Sequence, residues 1–206
     1  MNDETWTTMP STEVLQKTIE ALKENGMEAF LAESLEDAKA KALALIPEGS
    51  EIMTMTSVTL HELGVDAELN TSGHYQPVRD KLHSMDRATQ DVAMRKLGAA
   101  PEYVIGSVHA VTEQGQLVIA SNTGSQLPAE SYGSAHVVFV VGIQKIVGNL
   151  DDAMKRVYEH SLPLEAERAR KAYGTTGSNV SKMLIINKEV QPGRITVVFV
   201  PSVIGF

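Results

Sequence analysis

Residues 137–141, Val-Val-Phe-Val-Val, limit the possible folds of this chain more than any other segment. An uninterrupted apolar run of this length is typical of a strand buried on both faces, and such strands occur mainly in parallel sheets covered by helices. Residues 195–200, Ile-Thr-Val-Val-Phe-Val, have nearly the same character. The chain is therefore predicted to contain a buried sheet in which most strands are parallel.

Helix signals alternate with strand signals in the first third of the chain. Ser11, Ser34 and Ser57 each stand where a helical pattern begins, in the position that a helix-capping residue takes. Strand patterns at residues 27–31 and 52–56 separate these helices. Because such alternation is typical of parallel βα units, we predict a three-layer α/β fold with a mostly parallel sheet flanked by helices.

Length and charge narrow the class of protein. A chain of 206 residues fits one domain, so we predict a single domain over residues 1–206, with residues 1–10 as a loose lead-in. The net charge of −8 argues against a nucleic-acid partner. No apolar run approaches the roughly 20 residues that a membrane span needs, and the N-terminus lacks the pattern of a secretory signal. The expected location is the cytoplasm, without a membrane partner.

The chain contains no cysteine, which excludes disulfides, zinc–thiolate sites, cysteine-ligated iron–sulfur clusters and a thiol nucleophile within it. The six histidines show no paired spacing of the H-E-x-x-H kind, and no glycine-rich nucleotide loop occurs. We therefore predict no metal site and no bound cofactor.

Glu113 is the candidate for chemistry. It lies in a turn between strand patterns at residues 109–111 and 117–120. A carboxylate there could act as a nucleophile or a general base. Alternatively, Glu113 occupies an ordinary hairpin turn with Gln114 and Gly115 and faces water.

A polar loop follows the second of these strand patterns: Ser121, Asn122, Thr123, Gly124 and Ser125. Its hydroxyls, and main-chain N–H groups around Gly124, could bind a carboxylate or a phosphate. The same composition also suits a plain surface loop, and both interpretations stay open.

Three more polar residues follow apolar strands. Thr56 and Ser57 could join the anion site, although Ser57 as a helix cap alone is the simpler account. Lys145 follows residues 137–141 and could neutralise an anion, or extend to the surface as most lysines do. His109, beside the Glu113 turn, could transfer protons or be a structural histidine.

Three motifs in sequence order carry a resemblance to a known family. They are Ala110-Val111-Thr112-Glu113-Gln114-Gly115, the 121–125 loop, and Val141-Gly142-Ile143-Gln144-Lys145-Ile146-Val147. In this order they resemble the LUD (lactate-utilisation) domain family, whose members have an A-x-T-E-x-G turn, a polar glycine-bearing loop and a strand ending in V-G-x-x-K-I-V. Many relatives have a cysteine cluster near the C-terminus, where this chain has Gly174-Thr175-Thr176-Gly177-Ser178-Asn179.

The resemblance implies a fold like that of the NagB/RpiA/CoA-transferase group, and a role beside iron–sulfur oxidoreductase partners in oxidation of lactate or a related hydroxy acid. The first hypothesis is thus an accessory or small-carboxylate-binding subunit, with a small anionic metabolite (carboxylate or phosphate) as ligand. A second is a free-standing isomerase or acyl/CoA-type transferase that uses Glu113. A third is a non-catalytic interaction protein with a vestigial pocket. A homodimer is also expected from this fold group.

Overall fold

A computed structural model describes residues 4–206 of the chain. The strands in this range are β1 (Glu28–Leu31), β2 (Glu51–Thr54), β3 (Gln76–Pro77), β4 (Tyr103–Gly106), β5 (Ala110–Thr112), β6 (Leu117–Ser121), β7 (His136–Gly142), β8 (Ile146–Val147), β9 (Lys182–Ile186) and β10 (Ile195–Val200). They form a large sheet of order β1-β10-β7-β4-β2-β3 and a small sheet of order β8-β5-β6-β9. Each neighbouring pair in the large sheet is parallel, as predicted.

The helices in the described range are α1 (Glu4–Thr7), α2 (Thr12–Glu24), α3 (Leu35–Ala44), α4 (Val58–Glu62), α5 (Val65–Thr71), α6 (Val78–Ser84), α7 (Arg87–Ala99), α8 (Leu150–Arg156) and α9 (Leu162–Tyr173). The predicted capping residues begin three of them. The hydroxyls of Ser11, Ser34 and Ser57 each accept a hydrogen bond from a main-chain N–H three residues on, at 3.1–3.3 Å. These bonds satisfy donors that the first helical turn leaves without a partner.

Strand β7 is buried on both faces, as its composition predicts. Val137, Phe139 and Val141 pack on one side, in a cluster with apolar residues of α2 and the small sheet. Val138 and Val140 pack on the other side, against residues of α3, α4 and α5. Since side chains alternate along a strand, an all-apolar strand can fill both cores at once. The result is the predicted three-layer α/β fold.

The sequence patterns predicted one sheet and did not assign any strands to a second, smaller sheet. Strands β5 and β6 pair antiparallel around the predicted 113–115 turn, and β9, which was not predicted, pairs antiparallel with β6. One face of this sheet packs on the large sheet, and the other packs on α8. The β5–β6 region therefore lies between two apolar layers.

The prediction of a loose lead-in over residues 1–10 is wrong for Glu4–Thr7, which is helix α1. The Trp6 side chain packs against the cluster between the small sheet and α8, so burial of its ring orders this turn. Residues 1–3 lie outside the described range. No helix within residues 4–206 is both long enough and apolar enough to cross a membrane.

Candidate functional site

A cavity of about 370 Å³ lies at the carboxyl ends of the large sheet's central strands. Its wall includes Met55 after β2, Ser107 after β4, Lys145 after β7 and Phe206 after β10. The end of β6, the turn at Ala129–Gly133, helix α9 and residues 178–180 also line it. The carboxyl ends of parallel strands are where α/β proteins bind ligands, and the volume falls in the usual range for small-molecule sites.

Lys145 is buried in this wall, with 1% of its surface exposed. Its Nζ has three donors and lies within hydrogen-bond distance of four oxygens, the hydroxyls of Thr59 (3.1 Å) and Ser107 (3.2 Å) and the main-chain oxygens of Val108 (3.2 Å) and Phe206 (3.1 Å). Burial, and then the positive charge of Arg156, lower the pKa of Lys145. The alternative that Lys145 extends to the surface is therefore wrong, because its ammonium is held inside the fold.

Glu130 is a second buried ionisable group on the cavity wall, and sequence reasoning missed it. Its side chain is 1% exposed, and among the described residues its Oε2 has no hydrogen-bond partner. Burial raises the pKa of this carboxyl to about 8. The sequence Pro128-Ala129-Glu130 has the form of an exposed first helical turn, so nothing in it marks this carboxyl as buried.

Glu130 is held in place by a π-helical turn, Ala129–Gly133, a conformation that is rare and often found at functional sites. The buried Arg194 fixes this turn, because its Nη2 donates to the main-chain oxygens of Ala129 (3.3 Å) and Glu130 (3.1 Å). Its Nε donates to Ser134 O at 2.9 Å, and its Nη1 forms an ion pair with Glu189 at 2.7 Å.

His109 lines the cavity and is uncharged. Its Nδ1 accepts a hydrogen bond from Ala120 N at 3.1 Å, which assigns the ring proton to Nε2. Burial lowers the pKa of His109 to about 3, with a further effect from the positive charges of Lys145 and Arg156. The ring therefore offers a neutral N–H donor over the physiological pH range rather than a base ready to take a proton.

The 121–125 loop reaches the cavity, but most of its polar groups bind one another. Ser121 Oγ accepts from Gly124 N at 2.8 Å and donates to Gln126 Oε1 at 2.9 Å, and the Thr123 and Ser125 hydroxyls lie 3.0 Å apart. Of the predicted loop residues, Ser121, Asn122, Thr123 and Ser125 line the cavity and Gly124 does not. The expected role of Gly124 as an amide donor to a ligand therefore lacks geometric support, because Ser121 already accepts from its N–H.

Thr56 and Ser57 lie in the cavity wall, where they also border a neighbouring cavity of about 430 Å³. Thr56 Oγ1 accepts from Arg79 Nη2 at 2.8 Å, and Arg79 Nε donates to Thr54 O at 2.6 Å. Ser57 caps α4, which is the simpler of the two roles predicted for it. Both hydroxyls thus contribute to local structure while lining the cavity.

Arg168 is a positively charged residue that lines both cavities. It forms a two-bond ion pair with Glu165, at 2.6 and 2.7 Å. A guanidinium already bound through two donors to a carboxylate has less of its charge available to a ligand. Among residues 4–206, no three His, Cys, Asp or Glu side chains form a group that could hold a metal ion.

Glu113 does not join this site. It follows β5 at the end away from His109, separated from it by roughly 13 Å of extended chain. Its carboxylate forms an ion pair with the exposed Lys17 at 2.9 Å, and it is not part of the cavity wall. Glu113 therefore does not meet the polar loop or Lys145, because β5 directs its turn toward α2.

Comparison with known proteins gives two findings. The family model of the LUD domain matches residues 15–200. Among solved structures, the crystal structure of a DUF162 family protein from Deinococcus radiodurans is similar, with a TM-score of 0.54 and 14% sequence identity over 93% of this chain and 99% of that one. At this identity the likeness shows the fold alone. No curated protein matches the chain.

Proposed function

This chain belongs to the LUD (lactate-utilisation) domain family, and from that premise we propose that it binds a small carboxylate, such as lactate, in the cavity at the carboxyl ends of β2, β4 and β7. The ligand class comes from the family and from the chemistry of the cavity wall. The fold comparison supplies only the architecture that brings these strand ends together.

The observation that carries the proposal is the buried Lys145 ammonium in the cavity wall. Within the described range its Nζ contacts hydroxyl and main-chain oxygens, and no Asp or Glu side chain lies within ion-pair distance. Charges interact more strongly in a buried, low-dielectric site than in water. A carboxylate in this cavity would therefore favour the protonated form of Lys145 and interact with it more strongly than with a surface lysine.

The remaining wall suits a small, polar ligand. His109 provides a neutral N–H, and hydroxyl groups surround it. The proposal includes as ligand-binding residues Thr56, Ser57, Ser121, Asn122, Thr123, Ser125 and Lys145. It leaves out Gly124 and Glu113, whose positions are outside the wall. An isomerase or transferase mechanism that uses Glu113 would need a separate site near α2.

We further propose that the chain acts as an accessory subunit. Oxidation of a hydroxy acid requires an electron acceptor, and this chain has no cysteine with which to hold an iron–sulfur cluster. Such a cluster would belong to a partner polypeptide, as the family resemblance implies. Native mass spectrometry of the chain with co-purified proteins tests this association, and also tests the expected homodimer.

Isothermal titration calorimetry with L-lactate, D-lactate and pyruvate at about pH 6.5 tests ligand binding. Lactamide, which has the shape of lactate without its charge, is the matched ligand control. We expect measurable binding of at least one carboxylate and none of lactamide. Lys145→Met should weaken binding by at least roughly 30-fold, since removing one partner of a buried charge pair typically costs 2–5 kcal/mol.

The matched variant is Lys155→Met, which removes an exposed lysine that pairs with Asp152 on α8. It should leave binding unchanged, with circular dichroism showing that both variants are folded. Equal binding of lactate and lactamide by the unmodified chain would overturn the proposal without any variant. The absence of binding to every carboxylate would instead favour the interaction protein with a vestigial pocket.

A further inference from the structure

Glu130 has an unsatisfied carboxyl oxygen on the wall of the proposed binding cavity. The side chain is buried, yet its Oε2 has no hydrogen-bond partner among the residues that the structure describes. Buried polar atoms in folded proteins almost always have a partner, because an unmet hydrogen bond is costly. Glu130 also lines the cavity, so its carboxyl group is positioned to bind a ligand there.

The position of this carboxyl follows from its neighbours. Strand β4 passes next to it at Gly106, where a methyl group would come within 3.4 Å of Glu130 Oε1 and 3.3 Å of Met55 Cγ. Arg194 holds the main chain of the turn from the other side. The carboxyl is thus packed between the end of a central strand and a fixed turn, in a residue that lines the cavity.

The protonation state of Glu130 follows from burial. Desolvation raises the pKa of the carboxyl to about 8, so that at neutral pH the group is uncharged and carries one O–H donor. A carboxylate at this position would repel an anion, whereas a carboxylic acid can bind one. An O–H···O⁻ bond between an acid and a carboxylate is short and among the stronger hydrogen bonds in proteins.

We infer that the uncharged carboxyl of Glu130 donates its proton in a hydrogen bond to the ligand's carboxylate, and that Glu130 thereby restricts the site to anions bound together with one proton. This inference rests on the proposed function, since it names a recognition contact of the same cavity. The ligand class is a small monocarboxylate with a free oxygen for this bond. No bond other than the hydrogen bond forms or breaks.

Ligand affinity should depend on pH, because Glu130 must stay protonated in the complex. Below about pH 8 Glu130 already holds the proton, so affinity changes little; above it, each pH unit lowers the protonated fraction about tenfold and weakens binding by the same factor. The titratable groups that share the cavity wall are Lys145, His109, Glu165, Arg168 and Tyr173, and Arg194 binds the main chain of the turn. Loss of the proton from Lys145 would also weaken anion binding as pH rises, so a variant must separate the two.

Glu130→Gln makes that separation. Glutamine has nearly the same shape, stays uncharged and keeps an N–H₂ donor, so it reproduces the proposed hydrogen bond without a proton to lose. The experiment measures the Kd of L-lactate, D-lactate and pyruvate from about pH 6 to about pH 9.5 for the unmodified chain and for Glu130→Gln. Between pH 8 and pH 9.5 we expect the Kd of the unmodified chain to rise roughly 15-fold more than that of Glu130→Gln.

Glu113→Gln is the matched control, because it makes the same substitution outside the cavity. It should follow the pH profile of the unmodified chain. Glu130→Leu replaces the hydrogen-bond donor with an apolar side chain of similar size. It should weaken ligand binding at least tenfold at pH 6.5. Circular dichroism of each variant shows that the fold is retained.

Two results would overturn the inference while leaving the proposed function intact. One is a Glu130→Gln profile that weakens with pH as in the unmodified chain, which would assign the titration to Lys145. The other is unchanged affinity in Glu130→Leu. A failure of the proposed function has a different signature, since the unmodified chain would then bind none of the carboxylates at any pH.

Discussion

Two turns of this molecule each carry a glutamate, and they differ in almost every physical respect. The turn at Glu113 lies at the far end of β5, and its carboxylate forms an ion pair with a lysine whose side chain is 62% exposed. The turn at Glu130 lies in the cavity wall, and its carboxyl is buried and forms no salt bridge with any residue of the range 4–206. The sequence marks the first as a motif and gives no sign of the second. How readily a carboxyl group gives up its proton depends on its burial in the tertiary structure, which a local sequence motif does not encode.

The supports of the two turns differ in the same way. Arg194 is buried and holds the Glu130 turn through three hydrogen bonds from its guanidinium, with a fourth bond to Glu189. The Glu113 turn is held by main-chain bonds, including Glu113 N to Val147 O at 2.9 Å, and by the surface pair with Lys17. Removing each support is therefore a direct test of the contrast.

The largest expected effect belongs to Arg194→Met. This change removes the ion-pair partner of the largely buried Glu189 carboxylate and one donor to each of three main-chain oxygens. Breaking a buried pair by removing one member costs about 3–5 kcal/mol. The free energy of unfolding from urea denaturation should fall by that amount, and carboxylate binding should weaken as Glu130 loses its fixed position. A loss below about 1 kcal/mol would show that the turn does not depend on Arg194.

A smaller effect, with the opposite sign, is expected for Glu130→Gln. The folded-state pKa of Glu130 is about 8 and the unfolded-state value is near that of a free glutamate, so the folded state binds more protons between the two. The stability of the unmodified chain therefore falls as pH rises from about 4.5 to about 8 because of this residue, and then levels off. At about pH 9, Glu130→Gln should be more stable by about 2–3 kcal/mol, since each pKa unit corresponds to about 1.4 kcal/mol and the buried amide offsets part of the gain.

The advantage of Glu130→Gln over the unmodified chain should be lost toward about pH 4, where both side chains are uncharged and only the cost of the buried amide remains. Urea denaturation at several pH values measures it. A stability difference that is the same at all pH values would mean that Glu130 ionises as freely in the folded state as in the unfolded one.

Lys17→Met is the matched control for both changes and has the smallest expected effect. It removes the partner of Glu113 on the surface, where ion pairs contribute about 0–1 kcal/mol and are screened by salt. Neither carboxylate binding nor its pH profile should change. An effect as large as that of Arg194→Met would contradict the contrast between the two turns.

Much of the fold could be predicted because it is encoded in short patterns. Ser11, Ser34 and Ser57 cap helices through bonds to residues three positions on, and the all-apolar β7 fills two cores. The small sheet could not be separated in advance, because β5, β6 and β9 have ordinary strand compositions and only their pairing shows where they lie.

The site was predictable only in part. Lys145 stands among apolar residues, which made it a candidate in the sequence. A lysine in such a setting normally reaches the surface. Its burial depends on oxygens from three segments that are distant in the sequence. Glu130 could not be identified, because Arg194, 64 residues later, fixes the turn that buries it. Glu113 shows the converse, since a recognisable motif there belongs to a hairpin turn at the surface.

The central claim is that a small carboxylate and a protonated Glu130 meet in one cavity. The most direct measurement is a carbon-13 NMR titration of the Glu130 carboxyl, assigned by its absence in Glu130→Gln, without and with the carboxylate that binds most tightly. We predict a pKa of about 8 in the free protein and a higher value in the complex, because the bound anion favours the protonated form. Titration near the value of a free glutamate, or a pKa that the ligand leaves unchanged, would contradict the claim.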